Sequence, residues 1–185
     1  MRMKNILKNR WALSTVVTTL IILVVSVLLA GVVTYFAINV TSTRVQQESL
    51  SLMKTHVWYN DSGTAISEAA FLIINTGGRD VVLQKVTVRG QTADWTNVFY
   101  NITKDSLASD LGYNSTLADG GKIAIGASSY TMKAATSDLT LPSGDTMIIY
   151  INSPDSITVN DIGLTVGITV FTSQAMYYQE ANVEA

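Results

Sequence analysis

The chain has no cysteine, one histidine, two prolines and few charges, which make up 14% of its 185 residues. Without cysteine there can be no disulfide, thiolate metal site or thiol nucleophile, although that identifies no compartment. A single histidine, His56, excludes a multi-histidine metal centre. With so little proline there is no proline-rich linker, and no internal repeat is present. The folded part also lacks basic charge. Arg2, Lys4, Lys8 and Arg10 crowd an N-terminal segment that holds no acid, and all fourteen carboxylates lie beyond it. The chain carries a formal charge of −2, and without residues 1–12 the charge would be about −6. That balance argues against nucleic acid as a partner. A surface rich in Ser, Thr, Asn and Gly but poor in charge suits an exterior β-rich protein.

No catalytic set stands out, and no enzyme, cofactor or metal is expected. His56 has no obvious carboxylate or nucleophile partner in sequence and reads as a structural or surface residue. Asn60–Gly63 (NDSG) and Ser143–Asp145 (SGD) offer oxygens to calcium but lack the acid spacing of a dedicated loop, so they read as turns. Gly77-Gly78 and Gly120-Gly121 have no lysine-serine pair or following helix and are turn glycines, not phosphate loops. Trp58, Tyr59, Trp95, Phe99, Tyr100 and Tyr113 could line a sugar-binding patch, but such residues more often fill a core.

What the chain does have is a long apolar run. Val16 to Ile38 is 23 residues without a charge, which as a helix would span roughly 34 Å and cross a bilayer core of about 30 Å. The preceding basic cluster places the N-terminus in the cytoplasm and the bulk of the chain outside. The run is too long for an ordinary secretory signal, and its clean small residue, Ala12, precedes it. The pattern continues through NVTSTRVQQESLSLMK and predicts one helix over Leu13–Met53. Thr15, Thr19, Ser26, Ala30, Gly31 and Thr34 interrupt the Val/Ile/Leu composition. Ser26, Ala30 and Thr34 recur every fourth residue as a small-residue stripe suited to helix–helix packing.

The segment KNRWALSTVVTTLIILVVSVLLAGVVTYFAINV resembles the class III signal sequence and core helix of archaeal type IV pilins. The likeness covers about the first quarter of the chain. It implies cleavage by a prepilin peptidase between Ala12 and Leu13, then assembly of the helices into a filament core by an assembly ATPase and a platform protein. The implied product is a homopolymer at the cell surface, adhesive in role. Val17 stands where bacterial type IV pilins usually carry glutamate, a departure that points to the archaeal branch. The glycine-aspartate signature of many archaellins is missing, which favours adhesion over swimming. An archaellin-type subunit and a non-polymerising, signal-anchored binding protein are the alternatives.

Beyond about Thr55 the apolar period becomes alternating. Ala69–Ile74 and Val81–Val88 read as a hairpin turning at Asn75–Gly78, with Val82, Gln84, Val86 and Val88 sharing one face of the second strand. Further strands are expected over Val98–Ile102, Lys122–Ile125, Ser129–Lys133, Thr146–Ile151, Leu164–Thr172 and Ala175–Gln179, with SLASDLGYNSTLADGG as a surface excursion. The expected fold class is therefore α+β: a long hydrophobic N-terminal helix followed by an antiparallel, immunoglobulin-like β-sandwich. Its parts are a leader (1–12), a core helix (13–53) and an extracellular head (54–185). Asn60, Asn101 and Asn114 begin N-glycosylation sequons on the exterior side, whereas Asn39 begins one within the helix. The cleavage expectation has a direct check. Mass spectrometry of cell-surface protein is expected to find Leu13 as the first residue, and an intact Met1–Ala12 segment would contradict it.

Overall fold

The computed structural model describes residues 10–61, 66–114 and 116–185, and the chain divides into two units between Arg44 and Val45. The first unit is essentially one helix, α1 (Arg10–Gln46). Of the predicted leader, residues 1–9 lie outside the described residues. The helix is shorter than the sequence suggests, because Leu50–Met53 belong to a strand. Their apolar residues alternate with polar ones, and the β-branched and aromatic run that follows favours extended backbone.

The second unit is a curled, strand-rich sheet, so the class is α+β. Its strands are β1 (Leu50–Asn60), β2 (Ile66–Asn75), β3 (Val81–Val88), β4 (Gln91–Thr92), β5 (Val98–Thr103), β6 (Lys122–Ile125), β7 (Ser128–Thr131), β8 (Lys133–Ala134), β9 (Leu139–Leu141), β10 (Thr146–Asn152), β11 (Thr165–Thr172) and β12 (Met176–Glu184). Ten of them form one sheet in the order β4-β3-β11-β12-β1-β2-β10-β5-β8, with β9 paired to β3, while β6 and β7 make a separate hairpin. The pairing is antiparallel throughout except between β1 and β12, which run parallel at Val57↔Val183 and Trp58↔Glu184.

Two sequence expectations need correction. β2 and β3 do not form a hairpin: β2 pairs with β1 and β10, and β3 with β4, β9 and β11. Both edges of β2 are taken, and the chain crosses at Asn75–Asp80 to the other half of the sheet. Asn75 fixes that crossing from a buried position, donating to the carbonyls of Arg79 and Leu141 and accepting from Gly77 N–H. In β3, Val82, Gln84, Val86 and Val88 do not share a face. A one-residue bulge, opposite Phe171/Thr172, changes the alternation between Leu83 and Lys85, so Val81, Leu83, Val86 and Val88 are the buried apolar residues.

The main core lies inside the curl and draws Val57, Phe71, Ile73, Met147 and Ile149 from one half of the sheet and Val86, Ile168, Val170 and Val183 from the other. A second core lies on the outer face of the first half, where Trp58, Leu72, Phe99, Ile148 and Tyr150 meet Leu111, Leu117, Ile123 and Tyr130. Successive residues of β2 and β10 therefore serve different cores, as the two-residue period of a strand requires, and both strands are buried on both faces. The segment predicted as a surface excursion is thus part of a covering layer, because Leu111 and Leu117 point into apolar contact.

A Cβ on Gly77 would lie 2.8 Å from the Ser49 nitrogen and 2.9 Å from the Gln47 oxygen, both backbone atoms. Gly77→Ala is accordingly expected to cost about 2 kcal/mol, measured by denaturant unfolding of the sheet unit. Gly112 has open space around its Cβ position, so Gly112→Ala should fall within about 0.5 kcal/mol of the parent.

Candidate functional site

The surface that most requires a partner is the helix. Leu13–Thr43 is long and apolar enough to cross a membrane, and none of the segment is buried within the chain. Among the described residues, its large apolar side chains run from 46% exposed at Val24 to 70% at Leu13. Each would gain roughly 1.5–3 kcal/mol from full burial, so the uncovered surface represents a large unmet free energy. A helix apolar on every side must be covered by lipid or by other helices.

With about 100° of rotation per residue, Thr15, Thr19, Ser26, Ala30 and Thr34 fall within a sector of about 100°. Ala37 and Thr41 continue that sector. Gly31 falls about 100° round the helix from Ala30 and lies outside it. The hydroxyls are satisfied locally: Ser26 donates to the Ile22 carbonyl at 2.7 Å, Thr34 to Ala30 at 2.8 Å and Thr19 to Val16 at 2.9 Å. Thr18 and Thr43 do the same. The hydroxyls thus place little unsatisfied polarity on the helix surface, and their contribution to packing is small size. Ala12 and Leu13 lie near the start of α1, so the predicted cut falls in helical backbone.

In the sheet unit, His56 has partners that lie far off in sequence. Its Nε2 is 2.9 Å from Asp110 Oδ1, its Nδ1 is 3.2 Å from Glu184 Oε1, and its ring stacks on Trp58 at 5.2 Å. Trp58 donates to Glu184 at 3.1 Å. Asp110 is held below the usual carboxylate range, first by its hydrogen bond to His56. Beneath this cluster Glu68, only 1% exposed, accepts the Asn114 N–H at 2.7 Å through Oε2, while Oε1 has no partner. Burial pushes its carboxyl up to about 7, and the Asn114 bond opposes that only in part. Composition could not reveal this group, because nothing in its local sequence, Ser67 before it and Ala69 after it, marks Glu68 as a buried carboxylate.

The other candidates settle into packing or turns. Trp58 and Phe99 are in the second core, with Tyr113 against them, and Tyr59, Trp95 and Tyr100 pack on the main core. The Ser143–Asp145 turn is pinned by Ser143 N–H to Asp80 and Ser143 Oγ to the Gly77 carbonyl. In NDSG, Ser62 and Gly63 lie outside the described residues. Among the described residues, no group of three or more His, Cys, Asp and Glu side chains could hold a metal ion. A cleft of about 350 Å³, lined mainly by polar residues such as Asp94, Asn97, Ser153 and Asp155, carries no aromatic side chain.

The sequons differ in geometry. Asn101 lies within β5 and commits its Nδ2 to the Thr131 carbonyl at 2.7 Å. Asn114 instead accepts at its Oδ1 from Thr116 N–H and Oγ, although Ser115 between them lies outside the described residues. Asn60 is the last residue of β1, and Ser62 of its sequon is likewise outside.

No protein-family model and no curated protein matches the chain. Among solved structures it is similar to the apo PmoF2 PCuAC domain, at 14% identity and a TM-score of 0.43, over 75% of this chain and 95% of that one. The copper-bound PCuAC domain from PmoF2 is similar at 16% identity and a TM-score of 0.34, over 76% and 99%. Likenesses this loose carry no functional assignment.

If these asparagines are modified outside the cell, peptide mass spectrometry is expected to find glycan on Asn114 in preference to Asn101. Exclusive modification of Asn101 would contradict the argument from its Nδ2 bond.

Proposed function

We propose that this chain is the structural subunit of an archaeal type IV pilus-like surface filament, polymerising through α1 and adhesive in role. The observation that carries the reading is the unburied apolar segment Leu13–Thr43. The precursor sits in the cytoplasmic membrane with its basic end inside. A prepilin peptidase removes residues 1–12, and an assembly ATPase and platform protein move the subunit from lipid into the polymer. The driving free energy changes little in this transfer, because one apolar surface is covered first by lipid chains and then by neighbouring helices. Small residues on one face of α1 let those helices approach closely, where van der Waals contact is the main attraction left.

The curled sheet is read as an immunoglobulin-like sandwich exposed outside the membrane, its two halves facing each other across the main core. Its polar, weakly charged surface suits an exterior position, and glycan on Asn60, Asn101 or Asn114 would extend that surface. The same subunit plan would serve an archaellin or a non-polymerising anchored binding protein, and filament assembly separates the last from the other two.

Ala30→Phe together with Thr34→Phe tests the packing face. The double variant is expected to insert in the membrane at the parental level and to yield about tenfold less filament, since overpacking a close contact costs about 1–3 kcal/mol per site. Measured by shearing and immunoblotting, a parental filament yield would contradict the assignment of that face. Leu28→Phe, on the opposite side of the helix, is the matched control and should assemble normally.

A further inference from the structure

We propose that the polar cleft beside β4 binds a hydroxyl-rich carbohydrate that carries no acidic group. The cleft holds about 350 Å³, within the lower range of small-ligand sites, which run from about 300 to 1,000 Å³. Two segments line it, one around Gln91–Asn97 and the other from Ile151 to Ser156. β4 is an edge strand that pairs with β3 alone, so the other edge of its backbone is open. The chain enters the sheet unit at Leu50, opposite Asn75, and the adjacent Ile74 pairs with Thr146 at the start of β10. Ile151, at the cleft, lies about 17 Å further along that strand. The cleft is therefore at the end of the sheet unit away from the chain's entry. It is built by that unit alone, so the inference goes beyond the filament reading and does not rest on it.

Some lining side chains are engaged in the fold. Asn152 donates to the Leu117 carbonyl at 3.1 Å, and Ser156 to the Val88 carbonyl at 2.9 Å. Asp94 caps the 3₁₀ turn Trp95–Asn97, accepting the Thr96 N–H and hydroxyl at Oδ1, which leaves Oδ2 over. Among the described residues, the side chains of Gln91, Thr92, Asn97 and Asp155 have no partner. Ser153 sits in the left-handed region at φ 49°, pinned by its N–H to the Ser67 carbonyl at 2.7 Å. Such a conformation is unfavourable outside glycine, and here it turns the exit of β10 into the cleft wall. Water satisfies polar groups on an open surface, but on a concave one they converge on a shared volume.

The donor and acceptor set selects the ligand. The amides of Gln91 and Asn97 and the hydroxyls of Thr92 and Ser153 both donate and accept, whereas Asp94 and Asp155 only accept. A sugar hydroxyl also donates and accepts, so it meets every member of this set, and its bonds to carboxylates are the stronger, charge-assisted kind. A lysine side chain would meet the acceptors alone, since an ammonium accepts nothing. No lysine or arginine lines the cleft. The nearby Arg89 is committed to Asp161 at 2.7 Å and to the Ser156 carbonyl at 3.1 Å. Two carboxylates without a facing cation disfavour a phosphate, a sulfate or a uronate. With no aromatic ring to stack on a sugar face, binding rests on hydrogen bonds and is weak per site, about 1 mM.

The test is saturation-transfer NMR titration of the full chain in a detergent that has no sugar headgroup. The probes are neutral oligosaccharides of glucose, mannose, galactose and N-acetylglucosamine, with oligogalacturonate and oligolysine as comparators. At least one neutral oligosaccharide is expected to bind near 1 mM or tighter, and at least tenfold tighter than oligogalacturonate. Asn97→Ala and Asp155→Ala, both at exposed positions, should each weaken that binding about fivefold, and together about thirtyfold. Circular dichroism of both variants should match the parent and so report an intact sheet. Absence of binding by every neutral probe, binding confined to oligogalacturonate or oligolysine, or an affinity within twofold of the parent in the folded double variant would overturn the proposal.

Discussion

An apolar helix with no partner in its own chain is the constraint from which the account follows. Leu13–Thr43 presents valine, leucine and isoleucine around its whole circumference, and none of that segment is buried. Water cannot be the permanent solvent of such a surface. In a bilayer the basic cluster before it would orient the segment, and the back-bonded hydroxyls of Ser26 and Thr34 leave its surface compatible with lipid and with other helices alike. A helix suited to both environments can pass from one to the other without unfolding, which is what a subunit stored in a membrane and assembled into a filament requires.

The sheet unit solves the opposite problem by supplying its own cover. β2 and β10 bury residues on both faces, so the sheet has an apolar layer inside its curl and another beneath the segment that follows β5. The parallel β1–β12 contact at Val57 and Trp58 joins the two halves of the sheet in the middle of the strand order. The second core is the less uniformly apolar of the two, since it admits Glu68 next to Tyr150 and receives polar ties from His56 and Lys54. Burial of Glu68 raises its carboxyl to about 7, so its ionisation counts against this layer as pH rises.

The sequence revealed the helix, the strand-rich remainder and the α+β class, because period and length are local properties. The end of the helix is not legible because Leu50 and Met53 keep a helical spacing while Leu50 and Leu52 alternate, over too short a span for either period to decide. The β2–β3 connection reads as a hairpin because a glycine-rich turn between two strands gives no sign of which half of a curled sheet the second strand will join. Asn75, which fixes that crossing, reads in sequence as an ordinary turn residue. For the same reason His56 looked isolated, since its partners Asp110 and Glu184 are 54 and 128 residues away. Of Thr15, Thr19, Ser26, Ala30, Gly31 and Thr34, all but Gly31 share one face by helix geometry alone.

Cryo-electron microscopy of filaments sheared from cells producing this chain tests the central claim most directly. The account predicts a polymer whose axis is a bundle of α1 helices beginning at Leu13, with the strand-rich units outside. Abundant surface protein without filaments, or filaments whose axis is built from the sheet unit, would contradict it.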